Sequence, residues 1–538
     1  MKLRLPRILA DEEDEDEVAP EPRPLDGSES APAKLHWAWT PAVAAAAAIP
    51  RLLYVFVLTN PENPGDGVYD DVWHHWQIAY LTKQVGLTAQ GGPRLWDLKG
   101  MEYIWGPLHP LLMSLVFAVT GSVDIVLDRL VSLVFGVVIA VVLFHLARKY
   151  WGLQVGIASA LFAALLPTSV MNDTSGMVEP IAVALTLLGI WAWERRQGFW
   201  SGVGFALAAA GRAEEWIFSL GLVVAAFLRR IRSQQRIPLA AGFAIVMLAY
   251  IKVLLDRTGD PIYPVWWNFI GHAAGQWGTP YITPAQHAMR PLFAALLLLS
   301  FLGLGWTLWK RPVPYMLLTF GFGYWVFVSG SYGFTAFLSD WQWWAPLTRR
   351  FEFPWLFLAV LLASVLLWWA PRRLGEGVRP VGWVAVTVIL VASQLSWIPM
   401  HRLLAPTEAK WQATMADSRT LGGWYGLPEY NGHALALPPD RPDITYGLAR
   451  YGAVDGRHLI SEMYDPFAYP DKKQAIDVRI QCWLSGNDIR LMAVAESDTD
   501  LMQLVKSHPD WFVDIGNLPE AGWTVVGVTA PPCPRPAS

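Results

Sequence analysis

Charge is scarce in this chain. Charged residues make up 16% of its 538 positions and hydrophobic residues 54%, whereas soluble domains carry about 25% charge. That balance excludes long disorder, a collagen-like chain or a nucleic-acid-binding protein for the body of the sequence. Signature motifs are also missing. No Walker A motif occurs, which disfavours an ATP-driven pump. There is no Cys-x-x-Cys, no His-Glu-x-x-His and no Gly-x-Ser-x-Gly. No apolar stretch precedes the acidic run Asp11 to Glu17, so no cleavable signal peptide is expected. Cysteine is limited to Cys482 and Cys533.

Apolar runs, by contrast, are abundant. Between Trp37 and Met400 they recur at membrane-spanning length, about 20 residues each. Eleven spans are expected, near 37–59, 128–147, 152–170, 178–193, 199–211, 214–228, 237–256, 291–309, 313–331, 353–370 and 381–399. Two of them are short, so the count ranges from ten to thirteen, and 107–121 reads as a further or re-entrant segment. Many of the 30 Trp residues, Trp151, Trp200, Trp306 and Trp368 among them, fall near span ends, as in an interfacial belt.

The net charge of −4 is segregated. Residues 1–17 set three bases against seven acids, and residues 401–538 set 12 Lys/Arg against 17 Asp/Glu. The middle therefore carries the positive excess. Five loops hold 13 Lys/Arg: Arg148-Lys149; Arg195-Arg196; Arg229-Arg230 with Arg232 and Arg236; Lys310-Arg311; and Arg372-Arg373 with Arg379. Following alternate spans puts all five on one side, and the positive-inside rule makes that side cytoplasmic. Three regions are expected. Residues 1–36 form a disordered acidic cytoplasmic tail, and 37–400 a multi-pass domain in the plasma (inner) membrane. Residues 401–538 form an extracytoplasmic domain.

In that last region short apolar runs alternate with helical patterns. Strands are expected at His433–Leu437, His458–Ser461, Ile489–Ala493 and Trp511–Asp514, with helices at Asp443–Tyr451 and Asp498–Ser507. The fold class is then a polytopic α-helical membrane protein with a small C-terminal α/β domain. Cys482 and Cys533 both lie there, on the oxidising side. A disulfide is permitted, but spacing alone does not decide it.

The longest loop of the membrane region runs from Asn60 to Gly106. It holds six acids (Glu62, Asp66, Asp70, Asp71, Asp97, Glu102) against Lys83, Arg94 and Lys99. At its centre, Asp70-Asp71 precedes Val72-Trp73-His74-His75-Trp76. Adjacent carboxylates repel. The pair makes sense if one acid is a general base and the other positions a metal, an acceptor or its partner. A solvated loop with ordinary acids is the plain alternative. Val72 to Val85 fits an amphipathic helix lying on the membrane interface. The next outer loop holds two acids, Asp173 and Glu179, where buried acids are costly and usually paired or functional. Helix capping and helix-dipole stabilisation are their plain alternatives. His74, His75 and His109 suit phosphate or metal, or a structural role. Arg212 and Glu214 read as an ordinary pair at a span end. The aromatic stretch Trp341-Gln342-Trp343-Trp344 suits sugar stacking or an interface belt equally.

These features together resemble the GT-C glycosyltransferases, such as protein O-mannosyltransferases and aminoarabinose transferases. Four segments carry the resemblance: Asp70-Asp71 with its aromatic, His-rich helix; Tyr103 to Leu112; Gly204 to Glu214; and Arg349-Arg350-Phe351-Glu352-Phe353-Pro354. It covers about 37–400. The second segment departs from the family, with Gly106 where a Tyr-Pro-Pro-Leu motif has its first proline. The Trp-Trp-Asp-Tyr-Gly motif of oligosaccharyltransferases is missing, and Gly422 to Gly426 is a faint echo, which disfavours that branch.

The resemblance implies a polyprenyl-phosphate-linked sugar as donor, and a glycan, lipid or protein as acceptor. Asp70 matches the acid that deprotonates the acceptor, and Asp71 the one that supports it or binds a metal. Arg350, with Arg349, matches the arginine that holds the lipid-linked phosphate, and His74 is a further phosphate contact. Guanidinium suits phosphate because its charge is permanent and its donors are forked. Asp173 and Glu179 stand where a related branch places metal-binding acids, so magnesium or manganese is an open expectation. Headgroup contact at a span end is the alternative for Arg349 and Arg350. The rival functions are a secondary transporter or lipid flippase, an oligosaccharyltransferase-like enzyme, and a non-catalytic assembly partner. A transporter would show charges deep in the spans and internal symmetry.

Overall fold

In a computed structural model the described residues are 34–64, 71–85, 105–228, 233–265, 352–437, 441–460, 476–495, 499–518, 522–529 and 532–534. The chain divides into two units, Met1–Ala42 and Val43–Ser538. In the first, the described residues are helical.

Among its described residues the membrane region holds helices joined by short turns, and no strand. Its helices are α1 (Lys34–Leu53), α2 (Asp71–Val85), α3 (Leu108–Thr120), α4 (Ile125–Trp151), α5 (Leu153–Leu165), α6 (Pro167–Asn172), α7 (Glu179–Glu194), α8 (Gly198–Gly211), α9 (Ala213–Leu228), α10 (Ser233–Thr258), α11 (Glu352–Ser364) and α12 (Arg379–Ser393). A π turn, Tyr54–Leu58, extends α1. Nine of the expected spans fall on helices, and 291–309 and 313–331 lie outside the described residues. By length and composition, four described stretches are long and apolar enough to cross a membrane: Ala38–Leu58, Ile125–Trp151, Gln234–Asp256 and Glu376–Ser396. Leu108–Thr120, Leu153–Leu165 and Gly198–Gly211 are shorter apolar helices. The expected span 152–170 is broken after Leu165, because Pro167 supplies no amide to continue the ladder and starts α6 instead.

Small residues bring the helices close. A Cβ on Gly202 would sit 2.0 Å from the Leu239 carbonyl oxygen, and one on Gly242 2.1 Å from that of Phe199, so α8 and α10 meet backbone to backbone.

The C-terminal region holds α13 (Trp397–Tyr425), which runs through the boundary expected near 400, then α14 (Pro442–Arg450), α15 (Ile476–Gly486) and α16 (Thr499–Ser507). Its five strands are β1 (Leu435–Ala436), β2 (Leu459–Ile460), β3 (Leu491–Ala495), β4 (Phe512–Leu518) and β5 (Trp523–Val528). They form one sheet in the order β2-β1-β3-β5-β4. The first three strands are parallel, and β5 pairs antiparallel with both β3 and β4. Each expected strand and helix of this region overlaps an observed one. Strand β5 and helix α15 were not foreseen.

Both faces of the sheet are covered. Leu491 and Ala493 pack with α13 and α14 residues such as Leu421, Ile444 and Leu448. Met492 and Val494 pack on the other face with Ile480 and Leu484 of α15 and Leu501 and Leu504 of α16. Adjacent residues of a strand point to opposite faces, so an all-apolar run such as Leu-Met-Ala-Val-Ala requires two covering layers. A disulfide joins Cys482 to Cys533 and ties α15 to the C-terminal stretch.

Candidate functional site

The first loop, the second loop and the C-terminal region meet at one end of the helices. Arg129 is the centre of that junction. It sits in the first turns of α4 and is fully buried. Its Nε donates to the Thr174 carbonyl at 2.7 Å, and its Nη1 to the carbonyls of Asn60 (2.7 Å), Pro61 (3.0 Å) and Asn63 (2.7 Å). Nη2 donates to the Thr59 hydroxyl at 3.1 Å. The planar guanidinium thus ties residues 59–63 to residue 174 through oxygen acceptors. Arg129→Met would leave several of those acceptors unpaired, at about 1–3 kcal/mol for each one that stays buried. We expect Arg129→Met to lower the melting temperature of the detergent-solubilised protein sharply, and an unchanged melting curve would refute the tie.

Beside it, His109 Nε2 and Asp128 Oδ1 share a hydrogen bond of 2.7 Å, and both side chains are buried. The His75 ring packs edge-on against His109 with centroids 5.3 Å apart, and against Trp105 at 4.8 Å. His74 stacks on Trp105 at 6.1 Å. The His-rich start of α2, the 105–109 segment and α4 therefore form one packed polar cluster. Gly176, at φ +86°, lets the second loop pass over it, since a Cβ there would meet Val72 at 3.1 Å and Asp128 at 3.5 Å.

The departure at Gly106 has a steric reason. Its φ is +98°, which proline cannot adopt, and a Cβ there would lie 2.2 Å from the Ala210 carbonyl oxygen. The segment leading into α3 lies directly on the C-terminal end of α8.

The two second-loop acids are each met by an arginine. Asp173 is buried and paired with Arg51 of α1, whose Nε donates to Oδ2 at 2.9 Å. Arg51 also donates to the carbonyls of Ala47 (2.8 Å) and Ala163 (2.8 Å). A Cβ on Gly136 would lie 2.3 Å from the Asp173 carboxylate, so only glycine leaves room for the pair. Glu179 pairs with Arg212 at 2.8 Å, and Glu215 accepts from the Thr186 hydroxyl at 2.8 Å. Arg212, read from the sequence as a partner of Glu214, thus reaches Glu179 as well, and the Glu214 side chain lies outside the described residues. Arg212 and Glu179 are far apart in sequence, but the packing of α7 against α8 brings them together. A divalent ion at Asp173 or Glu179 would have to displace a guanidinium, so these acids do not suit a metal as they stand. Among the described residues no group of three or more His, Cys, Asp or Glu is arranged to hold one.

Helix α2 differs from the expected interfacial helix. Every described side chain from Val72 to Thr82 is buried. Trp73, Trp76 and Tyr80 line one side, but His74, His75, Gln77 and Thr82 are buried as well, so the helix is enclosed all round by protein. Helix α3 covers one side and α14 another. The C-terminal contact is specific. Tyr446 of α14 lies between Trp73 and Trp76, with ring centroids at 5.0 and 4.8 Å. Arg450 reaches Asp124 at 3.2 Å and Glu62 at 3.5 Å. Burial raises the Glu62 carboxyl above its ordinary range, with Asp124 adding to that and Arg450 opposing it. On the same side of the loop, Glu408 of α13 accepts from Asn63 at 2.8 Å and Asn60 at 3.3 Å.

Of the residues expected from the sequence, Asp71 opens α2, and His74, Asp173 and Glu179 are placed as above. Asp70, Arg349, Arg350 and Trp341 to Trp344 lie outside the described residues. Arg129, Asp128 and the Arg51–Asp173 pair were missed as a set. Their signal was Asp128-Arg129 inside an otherwise apolar run, where adjacent opposite charges are costly without partners. The buried charges lie toward the loop end and are met by partners. Among the described residues they do not line a path along the helices of the kind a transporter would show.

Residues 105–255 match the family described as dolichyl-phosphate-mannose-protein mannosyltransferase. This segment resembles the polyprenyl-phosphate-sugar glycosyltransferases. It contains Gly106, His109, Asp128, Arg129, Asp173, Glu179 and Arg212, so most of the polar cluster lies in mannosyltransferase-like sequence. Asp70, Asp71, His74 and Arg350 lie beyond the matched range. No curated protein matches the chain. Among solved structures, the oligosaccharyltransferase of Archaeoglobus fulgidus in its apo form is similar at a TM-score of 0.48 and 12% identity, over 85% of this chain and 70% of that one. ArnT from Cupriavidus metallidurans is similar in its apo state at 0.44 and 14%, over 92% and 99%. ArnT bound to undecaprenyl phosphate is similar at 0.43 and 13%, over 94% and 100%.

Proposed function

We propose that the protein is a membrane glycosyltransferase. It takes a sugar from a polyprenyl-phosphate donor and passes it to a glycan, lipid or protein hydroxyl. One observation carries the reading. The helix that follows Asp70-Asp71 is buried from its first turn against the polar cluster of the mannosyltransferase-like segment. A helix held so tightly from its first turn supports a positioning role for the acids that precede and open it.

In this reading Asp70 accepts the proton of the acceptor hydroxyl, and Asp71 supports it. The acceptor oxygen forms a bond to the anomeric carbon as the bond from that carbon to the phosphate oxygen breaks. The electron pair leaves with polyprenyl phosphate, whose charge Arg350 and Arg349 hold, with His74 as a further contact. The many apolar helices suit a donor whose tail stays in the bilayer.

Sidedness follows from two supports. The 13 basic residues of the alternate loops favour the cytoplasmic face of the plasma membrane for that end. The Cys482–Cys533 disulfide favours an oxidising compartment for the C-terminal region. The contacts of Tyr446 and Arg450 place that region at the same end as the first loop. The site would then face outward.

The test is direct. The purified protein in proteoliposomes is given a panel of polyprenyl-phosphate sugars, and release of free polyprenyl phosphate is measured with and without cell-envelope acceptors. Acceptor-dependent release is expected. No release from any donor, with the protein folded, would overturn the reading.

A further inference from the structure

The C-terminal region does more than sit at the outer end. It touches α2 at two separate points and the flanking loops at a third. Tyr446 is fully buried, wedged between Trp73 and Trp76, and its hydroxyl is 3.4 Å from Asp124. Gly456 donates its amide to the Tyr80 hydroxyl at 3.2 Å, and a Cβ there would lie 2.2 Å from the Tyr80 ring. Arg450 bridges Glu62 of the first loop and Asp124, the N-cap of α4. Trp73, Trp76 and Tyr80 fall at i, i+3 and i+7, so these contacts address a single stripe of α2. On another side α2 packs against α3, and Trp76 donates to the Val123 carbonyl at 2.7 Å in the turn before α4.

We propose that α14 and residues 452–458 act as a brace that fixes α2 against α3 and α4, and that Tyr446 and Arg450 are positioning residues for sugar transfer. This rests on the function proposed above, because it acts through Asp70-Asp71 at the head of α2. Aromatic packing supplies the holding force. Each ring pair contributes beyond its buried area, and Tyr446 makes two. Arg450 adds direction more than strength, since its ion pairs are partly exposed and screened. A brace of this kind keeps the head of α2, and so the backbone that leads into it, in one place. A displacement of about 1 Å is enough to cost about 100-fold in rate. The donor phosphate is assigned to residues outside this contact, so donor affinity is spared.

The experiment uses full-length protein in proteoliposomes, with Tyr446→Ala, Tyr446→Phe, Arg450→Glu and Arg450→Lys. Two readouts are taken: transfer kinetics, and backbone hydrogen exchange of residues 71–85 and 179–194. Tyr446→Ala is expected to lower kcat about 100-fold while the donor KM stays within about threefold. Exchange should accelerate in 71–85 and stay unchanged in 179–194. Tyr446→Phe keeps the ring and should behave like the parent. Arg450→Glu faces two acids and should lose about tenfold in kcat, with Arg450→Lys restoring most of it. These surface variants preserve the core, so they decide the matter if Tyr446→Ala fails to fold. Unchanged exchange in 71–85, or a loss confined to donor KM, would overturn the brace. If the parent transfers no sugar at all, the functional reading fails, and the exchange readout still decides whether the brace exists.

Discussion

Asp70→Asn should abolish sugar transfer and leave the protein folded. The substitution keeps the size of the side chain and removes its capacity to accept a proton. A positioned general base contributes about 10²–10⁴ in rate, so turnover should fall by at least about 100-fold. The donor KM should hold, because the phosphate contacts assigned to Arg350 and Arg349 are untouched. The melting curve and the exchange of residues 72–82, which are buried in aromatic packing, should match the parent. Asp71→Asn is expected to be milder, since the role proposed for Asp71 is to support its neighbour. Full activity of Asp70→Asn would sink the base assignment, whatever the donor proves to be.

The second large effect concerns Asp173. The sequence placed it among acids suited to a metal or an acceptor, and the structure surrounds it with Arg51 and Gly136. Both members of the pair are buried. Removing one charge strands the other, and breaking such a pair by single substitution costs about 3–5 kcal/mol. Asp173→Ala should therefore behave as a stability variant. It should lower the melting temperature and the yield of monodisperse protein, with remaining activity lost in proportion to folded protein. Replacing both members, as Arg51→Met with Asp173→Leu, should recover much of the stability, because two apolar groups leave no unpaired charge. A folded Asp173→Ala protein with no transfer activity would instead give this acid a direct part in the reaction.

The two expectations also show how residues of the same type part company. Asp70 is assigned to chemistry under the proposed function. Asp173 sits where α1 and α5 converge. There the Arg51 guanidinium donates to three carbonyls, those of Ala47, Ala163 and Ala164, and also to Asp173. Spacing along the chain does not separate these cases, because Arg51 and Asp173 are 122 residues apart.

Much was legible in the sequence. The apolar runs determined where helices form, since a 20-residue stretch without charge has few other ways to satisfy its backbone in a bilayer. The alternation of short apolar runs located four of the five strands and two of the helices of the C-terminal region. Strand β5 was missed although Trp-Thr-Val-Val-Gly-Val is β-branched, because it inserts antiparallel between β3 and β4 and no local pattern announces that order. The Asp70-Asp71 pair, the resemblance and the loop charges were local patterns too. What only the tertiary structure decided were the partners. It turned α2 from an interfacial helix into a buried one, because Tyr446 arrives from more than 360 residues away to cover Trp73 and Trp76. It set Arg129 on five oxygen acceptors from two loops. Gly106 was no lost proline, once the backbone of Ala210 was seen against it. Periodicity and composition act through neighbours in the chain. Charge compensation and close packing act through neighbours in space, and those exist only after the chain has folded.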